Sequence, residues 1–423
     1  KTVKMKLSIL AAFIVFVMYS NSLLAQLKIN AELRPRFEFR HGYKSLPSAE
    51  DNAAYFVSQR SRLNLGYNHE KYSFGFSLQD VRVWGDEDIY SSTGVMGTNA
   101  SLDLYEAWMR LNIGSKLFIK VGRQEWNYDD QRLLSKRNWN QNGMAYDGVL
   151  LGYKINTFQF DMGLSLNNDK ENVFGNEYTP SKMKFLDFIY LKKAWDTKNY
   201  ISFTGVLSGF QKEEDSETIY VSATFGPYLN IKKEKFAAIA NVFYQTGTNQ
   251  TGESINAYMF SVSANYKVNN PISVGAGLDW LSGESNASGD NSFDILYGGR
   301  HRFFGEMDYF SNLVKLTSNK GLRDLFAKAD FNLNTNHSVN LSYHFFCLQD
   351  DFTADMTNYK KNLGSELDII YQFKATIPVN LRVGLSVFLP TETMEYLQNI
   401  ESSGFSYFSY MQLTFTPSLL NFD

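Results

Sequence analysis

The 423 residues carry 41 Lys and Arg against 44 Asp and Glu, a formal charge of −3. That balance excludes a globally basic nucleic-acid binder, and a mean hydropathy of −0.30 excludes a bundle of membrane helices. The single cysteine, Cys347, excludes a disulfide scaffold.

Lys1, Lys4 and Lys6 precede an uncharged, mostly apolar run over 7–18, and small or polar residues follow up to Ala25. This pattern predicts an export signal over residues 1–25, cut after Ala25. The mature chain, 26–423, then forms a single domain.

From residue 27 onward the periodicity is two. Leu27, Ile29, Ala31, Leu33, Pro35, Phe37 and Phe39 alternate with Lys28, Asn30, Glu32, Arg34, Arg36, Glu38 and Arg40. The same alternation runs through 158–167, 219–230, 363–374 and 379–389. Strands of a soluble sandwich average about 5–6 residues. The long runs here match tilted membrane strands, which need about 9–11.

Short turns fall at 67–71, 112–116, 156–157, 195–199, 230–235, 268–271, 334–337 and 375–378. Between them lie longer polar segments at 41–54, 84–101, 127–145, 168–183, 211–217, 247–254, 284–320, 348–362 and 390–403. Eight turns and nine loops make seventeen connections and hence eighteen strands. The expected fold is all-β, an 18-stranded antiparallel transmembrane β-barrel with long outer loops, some folded into the lumen. It belongs in the outer membrane of a Gram-negative bacterium, against lipid and lipopolysaccharide.

Ten of the fourteen arginines lie within residues 26–145. Arg34, Arg36, Arg60, Arg62 and Arg110 sit on polar faces of predicted strands, where a barrel turns them to the lumen. Arg82, Arg123 and Arg132, with Arg300 and Arg302 from a second basic cluster, complete the candidate pore-lining set. Rings of guanidinium select anions. The competing role is bracing the wall through Glu32, Glu38, Asp80 and Glu106.

The densest polar stretch, 122–148, mixes charges with Trp126, Tyr128, Asp129, Trp139 and Asp147. It reads as a constriction loop entering the pore, or as a self-packed surface Ω-loop. Asp86, Glu87 and Asp88 offer a possible Ca²⁺ site in an outer loop, or a solvated acidic run. No other metal or cofactor is expected. The five histidines form no constellation with a nucleophile, so no catalysis is expected.

Several segments occur in order: Arg34-Pro35-Arg36-Phe37-Glu38, Gln59-Arg60-Ser61-Arg62-Leu63, Gln79-Asp80-Val81-Arg82 and Tyr105-Glu106-Ala107-Trp108. Gly122-Arg123-Gln124 with Tyr128-Asp129-Asp130-Gln131-Arg132-Leu133 follows, then Leu296-Tyr297-Gly298-Gly299-Arg300-His301 with Gly305-Glu306-Met307-Asp308-Tyr309-Phe310. Over nearly the whole mature chain this resembles the alginate-export family of outer-membrane porins, in a form common in Bacteroidota. The resemblance implies a monomeric barrel whose lumen arginines conduct an anionic polysaccharide or another anionic solute. The sequence departs from that pattern in charge, since Glu32, Glu38, Asp86-Glu87-Asp88 and Asp129-Asp130 offset the arginines. A second reading is a barrel that serves as an accessory subunit of a larger secretion or glycan-uptake complex.

Overall fold

A computed structural model describes residues 27–85, 102–175, 178–213, 217–284 and 290–421. The expected export signal over 1–25 and the acidic run Asp86-Glu87-Asp88 lie outside the described residues.

Nine strands form the first half of the wall: β1 (Leu27–His41), β2 (Ala54–Asn68), β3 (Tyr72–Val83), β4 (Leu102–Ile113), β5 (Leu117–Gln124), β6 (Tyr146–Ile155), β7 (Phe158–Ser165), β8 (Met183–Ala194) and β9 (Tyr200–Gln211). The wall continues through β10 (Ile219–Lys232), β11 (Phe236–Thr248), β12 (Ser254–Lys267), β13 (Ile272–Leu281), β14 (Leu322–Asn332) and β15 (His337–Cys347). A small hairpin, β16 (Phe352–Ala354) and β17 (Thr357–Tyr359), stands apart from the wall. The last staves are β18 (Asn362–Lys374), β19 (Val379–Pro390), β20 (Ser406–Phe415) and β21 (Ser418–Asn421).

Each wall strand pairs antiparallel with its chain neighbour, and both β20 and β21 pair with β1. β20 and β21 are two pieces of one stave, separated at Thr416 and Pro417, and proline has no N–H to give the ladder. The result is a closed barrel of 18 staves. Closure leaves no edge of unpaired backbone for lipid to meet. No described helix is long and apolar enough to cross a membrane.

The two faces follow the sequence alternation. On β1, Leu33 and Phe37 are exposed on the outside, while Arg34, Arg36 and Glu38 are buried inside. On β18, Leu367 and Ile369 face out, and Glu366 and Asp368 face in. All eight predicted turns connect strands at one end, and the strand ends that the nine longer segments join lie at the other.

The buried apolar core lies inside the barrel rather than between layers. Trp126, Leu133 and Leu134 from the loop after β5 meet Phe293, Phe304, Met307, Tyr309 and Phe310 from the loop after β13. The latter loop also carries α1 (Leu313–Leu316), and the loop before β20 carries α2 (Glu392–Leu397). These loops turn inward because their aromatic side chains find in the lumen the burial that an outer surface denies them.

Candidate functional site

Two like-charged pairs stand directly opposite one another on neighbouring strands. Arg34 of β1 faces Arg60 of β2, and Asp279 of β13 faces Asp324 of β14. Like charges across a ladder destabilise it unless something stands between them.

At the arginine pair that something is Glu32 and the loop 125–145. Arg60 Nε donates to Glu32 Oε1 at 2.7 Å. Arg34 donates to the Asn138 carbonyl at 2.7 Å and to Gln141 Oε1 at 2.8 Å, and Arg60 donates to Asn138 Oδ1 at 2.9 Å. Arg36 bonds Glu38 at 2.8 Å and the Trp139 carbonyl at 2.9 Å. At the aspartate pair the same loop supplies Arg132, which donates to Asp279 at 2.7 Å and to Ser261 of β12 at 3.1 Å. His344 of β15 reaches Asp324 at 2.8 Å.

Between these anchors the loop touches a third wall. Tyr128 donates to Asp161 of β7 at 3.0 Å. Asp129 accepts from Tyr190 of β8 and Ser202 of β9, both at 2.8 Å. Burial pushes the Asp129 carboxyl up to about 6 against the pull of those hydroxyls. Trp126 stacks on Tyr146, with ring centroids 4.7 Å apart, and is fully buried. The segment is therefore neither an outer surface loop nor a loose flap, because it crosses the barrel and is fastened on three sides.

The second loop lies on the first. Leu134 and Tyr297 form a parallel bridge, and Arg137 donates to the carbonyls of Gly298 at 3.0 Å and Leu296 at 2.7 Å. Arg132 lies over the Phe303 ring at 3.6 Å, and Trp139 stacks on His301 at 3.6 Å. Burial and the neighbouring Arg300 pull Arg137 down to about 10. Gly305 has a positive φ and sits against Glu366, where a Cβ would collide with the carboxylate.

Beneath the two loops is a cavity of about 840 Å³. Its lining includes Arg34, Arg132, Arg300 and Arg302 from the sequence set, and Lys328 of β14. Arg62 lies over the Tyr105 ring at 3.5 Å and donates to Gln79 at 2.6 Å. Arg110 lies over Phe118 at 3.8 Å, nearer the turn end of the barrel.

Three expected site residues point the other way. Arg82 shares its face of β3 with Tyr72 and Phe74, opposite the buried Ser77 and Gln79, and bonds Asp80 at 2.8 Å. Arg123 shares the outer face of β5 with Leu117 and Val121. It lies 3.6 Å from Asp147, which is exposed on β6 rather than part of a constriction. Charge type suggested the lumen for all three, but strand parity decides, and they sit near the loop end where polar outer faces are tolerated.

Other lumen groups escaped the sequence reading. Asp279 and Asp324 lie on the inner faces of β13 and β14, directly across the ladder from one another. His301, Glu306 and Asp308 lay within a recognised motif, but their mutual contacts depend on a loop conformation that no periodicity reports. Among the described residues, no group of three or more His, Cys, Asp or Glu side chains is placed to hold a metal ion.

Strands that offer hydrocarbon-compatible faces outward and ionised ones inward define a porin-type channel of the Gram-negative outer membrane. The family model for alginate export matches residues 25–403, and the chain belongs to that family. Its fold is similar to that of Pseudomonas aeruginosa OccK5 (OpdH), with a TM-score of 0.62 at 13% identity over 94% of this chain and 99% of that one. It is also similar to P. aeruginosa OccK9 (OpdG), at 0.63 and 10% over 94% and 100%, and to Acinetobacter baumannii OccAB4, at 0.63 and 11% over 93% and 98%. At such identities the likeness is one of fold. No curated protein matches the chain in sequence.

Proposed function

We propose that the barrel is a passive channel preferring anionic solutes, of the size of small carboxylates or acidic oligosaccharide segments, and that residues 1–25 are its export signal. The observation that carries the preference is the cavity lining. It holds nine Lys and Arg against six Asp and Glu, so 9 − 6 leaves three positive charges before either histidine counts. The surplus lacks counter-ions, although Arg137 and Arg300 donate to backbone carbonyls. Among the described residues no carboxylate lies within ion-pair distance of Arg137, Arg300, Arg302 or Lys328, whereas Arg132 and Arg382 are paired. In a narrow, poorly hydrated passage such charges act more strongly than in bulk water.

The reading shifts the selecting role from the β1–β2 arginines, which hold the loop, to cations on the loops and β14. Reversal potentials in planar bilayers at low salt test it, since salt screens the effect. Wild type should prefer anions. The double variant Arg302→Gln, Lys328→Gln should lose that preference in a folded barrel. A cation-selective wild-type pore would sink the reading.

A further inference from the structure

The segment Gly299-Arg300-His301-Arg302-Phe303-Phe304-Gly305-Glu306-Met307-Asp308 has a feature that solute passage does not use. His301 is buried between two carboxylates of its own loop. Its Nδ1 lies 2.8 Å from Asp308 Oδ1 and its Nε2 lies 3.1 Å from Glu306 Oε2. A ring that meets an acceptor at both nitrogens donates at both only as the imidazolium, because the neutral ring has one N–H.

The groups around it come from six elements. From the loop 125–145, Trp139 stacks on the imidazole with planes 10° apart. From β1, Arg36 lies 4.0 Å from the centroid of the same indole. From the loop after β1, the Tyr43 hydroxyl donates to Asp308 and accepts from Trp139 Nε1. From β19 and β20, Arg382 donates to Glu306 at 2.9 Å and Tyr410 at 3.1 Å. From β18, Glu366 accepts the Met307 N–H at 2.8 Å, with Asp368 beyond it. At the centre, His301 and Arg382 balance Glu306 and Asp308 only while His301 is charged.

We propose that His301 is the pin of a pH-operated latch that clamps the two infolded loops together and to the β19–β20 wall, so that loss of its proton loosens the constriction. Deprotonation would remove one hydrogen bond of the bracket, leave a buried negative charge uncompensated, and remove the cationic partner of the Trp139 face. Burial disfavours the imidazolium, but Asp308 and Glu306 outweigh it and hold the ring up at about 9.

The latch rests on the channel reading, and single-channel recording of the full-length protein separates the two. Wild-type conductance and open-channel noise should be steady near neutral pH and rise through about pH 9. His301→Gln, verified as folded by heat-modifiability, should show the high-pH behaviour throughout. Glu306→Gln keeps the imidazole but removes one of its carboxylates, and should move the rise toward neutral pH. A conducting pore whose rise is absent, persists in His301→Gln, or stays in place in Glu306→Gln overturns the latch. A folded barrel that conducts at no pH overturns the channel reading instead.

Discussion

The arginine pair on β1–β2 and the aspartate pair on β13–β14 present the same problem with opposite sign, and the molecule answers both with one loop. Arg34 and Arg60 receive one carboxylate, Glu32, plus neutral oxygens from Asn138 and Gln141. Asp279 and Asp324 receive a full guanidinium, Arg132, and His344. The contrast teaches that a row of lumen arginines need not be a filter. Here the row is a receptor for the chain's own backbone, and the loop is held because each wall lacks what it carries.

The comparison can be broken most directly at Arg132. Replacing it by Gln leaves Asp279 buried without its counter-ion, and the barrel should lose about 3–5 kcal/mol in denaturant unfolding from detergent. Glu32→Gln, the matching change at the arginine pair, should cost less, about 1–3 kcal/mol, because the loop oxygens remain. Equal losses would mean that the carbonyls contribute nothing.

The contrast of inner and outer faces is sharpened at two adjacent residues of β20. Met411 is exposed on the outside, whereas Gln412 lines the cavity. Met411→Arg should cost about 2–4 kcal/mol and Gln412→Arg under about 1 kcal/mol in the same assay. Similar costs would show that the face assignment is wrong.

A pH series extends the argument to the loop ion pairs. His301 is held at about 9, above its ordinary 6.5, so its contribution to stability is full below 6.5 and is lost as pH rises through 9. Burial raises Glu306, but His301 and Arg382 outweigh that and hold it at about 2, below its ordinary 4.5. Its contribution is therefore full above 4.5 and is lost as pH falls toward 2. Thermal unfolding should be most resistant between those limits, and His301→Gln should flatten the alkaline side.

The smallest effect belongs to the pair on the outer face. Arg123 and Asp147 are both largely exposed. Arg123→Gln should change stability by at most about 1 kcal/mol and leave the reversal potential unmoved. A shift in selectivity would return Arg123 to the pore.

The stave count, the turns and the inside-outside parity were legible because a period of two survives in the residues themselves. That period turns Arg34, Arg36 and Arg60 inward, where they are buried. At Arg82, Arg123 and Asp147 charge alone points to the lumen, and the parity of the strand turns them outward. The Arg132–Asp279 pair was not legible, since 147 positions separate its members and only the infolded loop joins them. His301 and its two carboxylates lay in plain view but gave no sign of touching.

The position of the infolded loops bears on how the barrel is fastened. β1 and β20 meet at the seam where the sheet returns to its own beginning, and Arg36 pairs with Gln412 across it. The loops grip Arg34, Arg36 and Arg60 on one side of that seam and Arg382 and Tyr410 on the other. They act as a buckle across the zip of the cylinder. Strand pairing at the seam brings together residues nearly 400 positions apart, the costliest contact for a chain to find. A clasp from within favours the zipped cylinder over an open sheet with two raw edges.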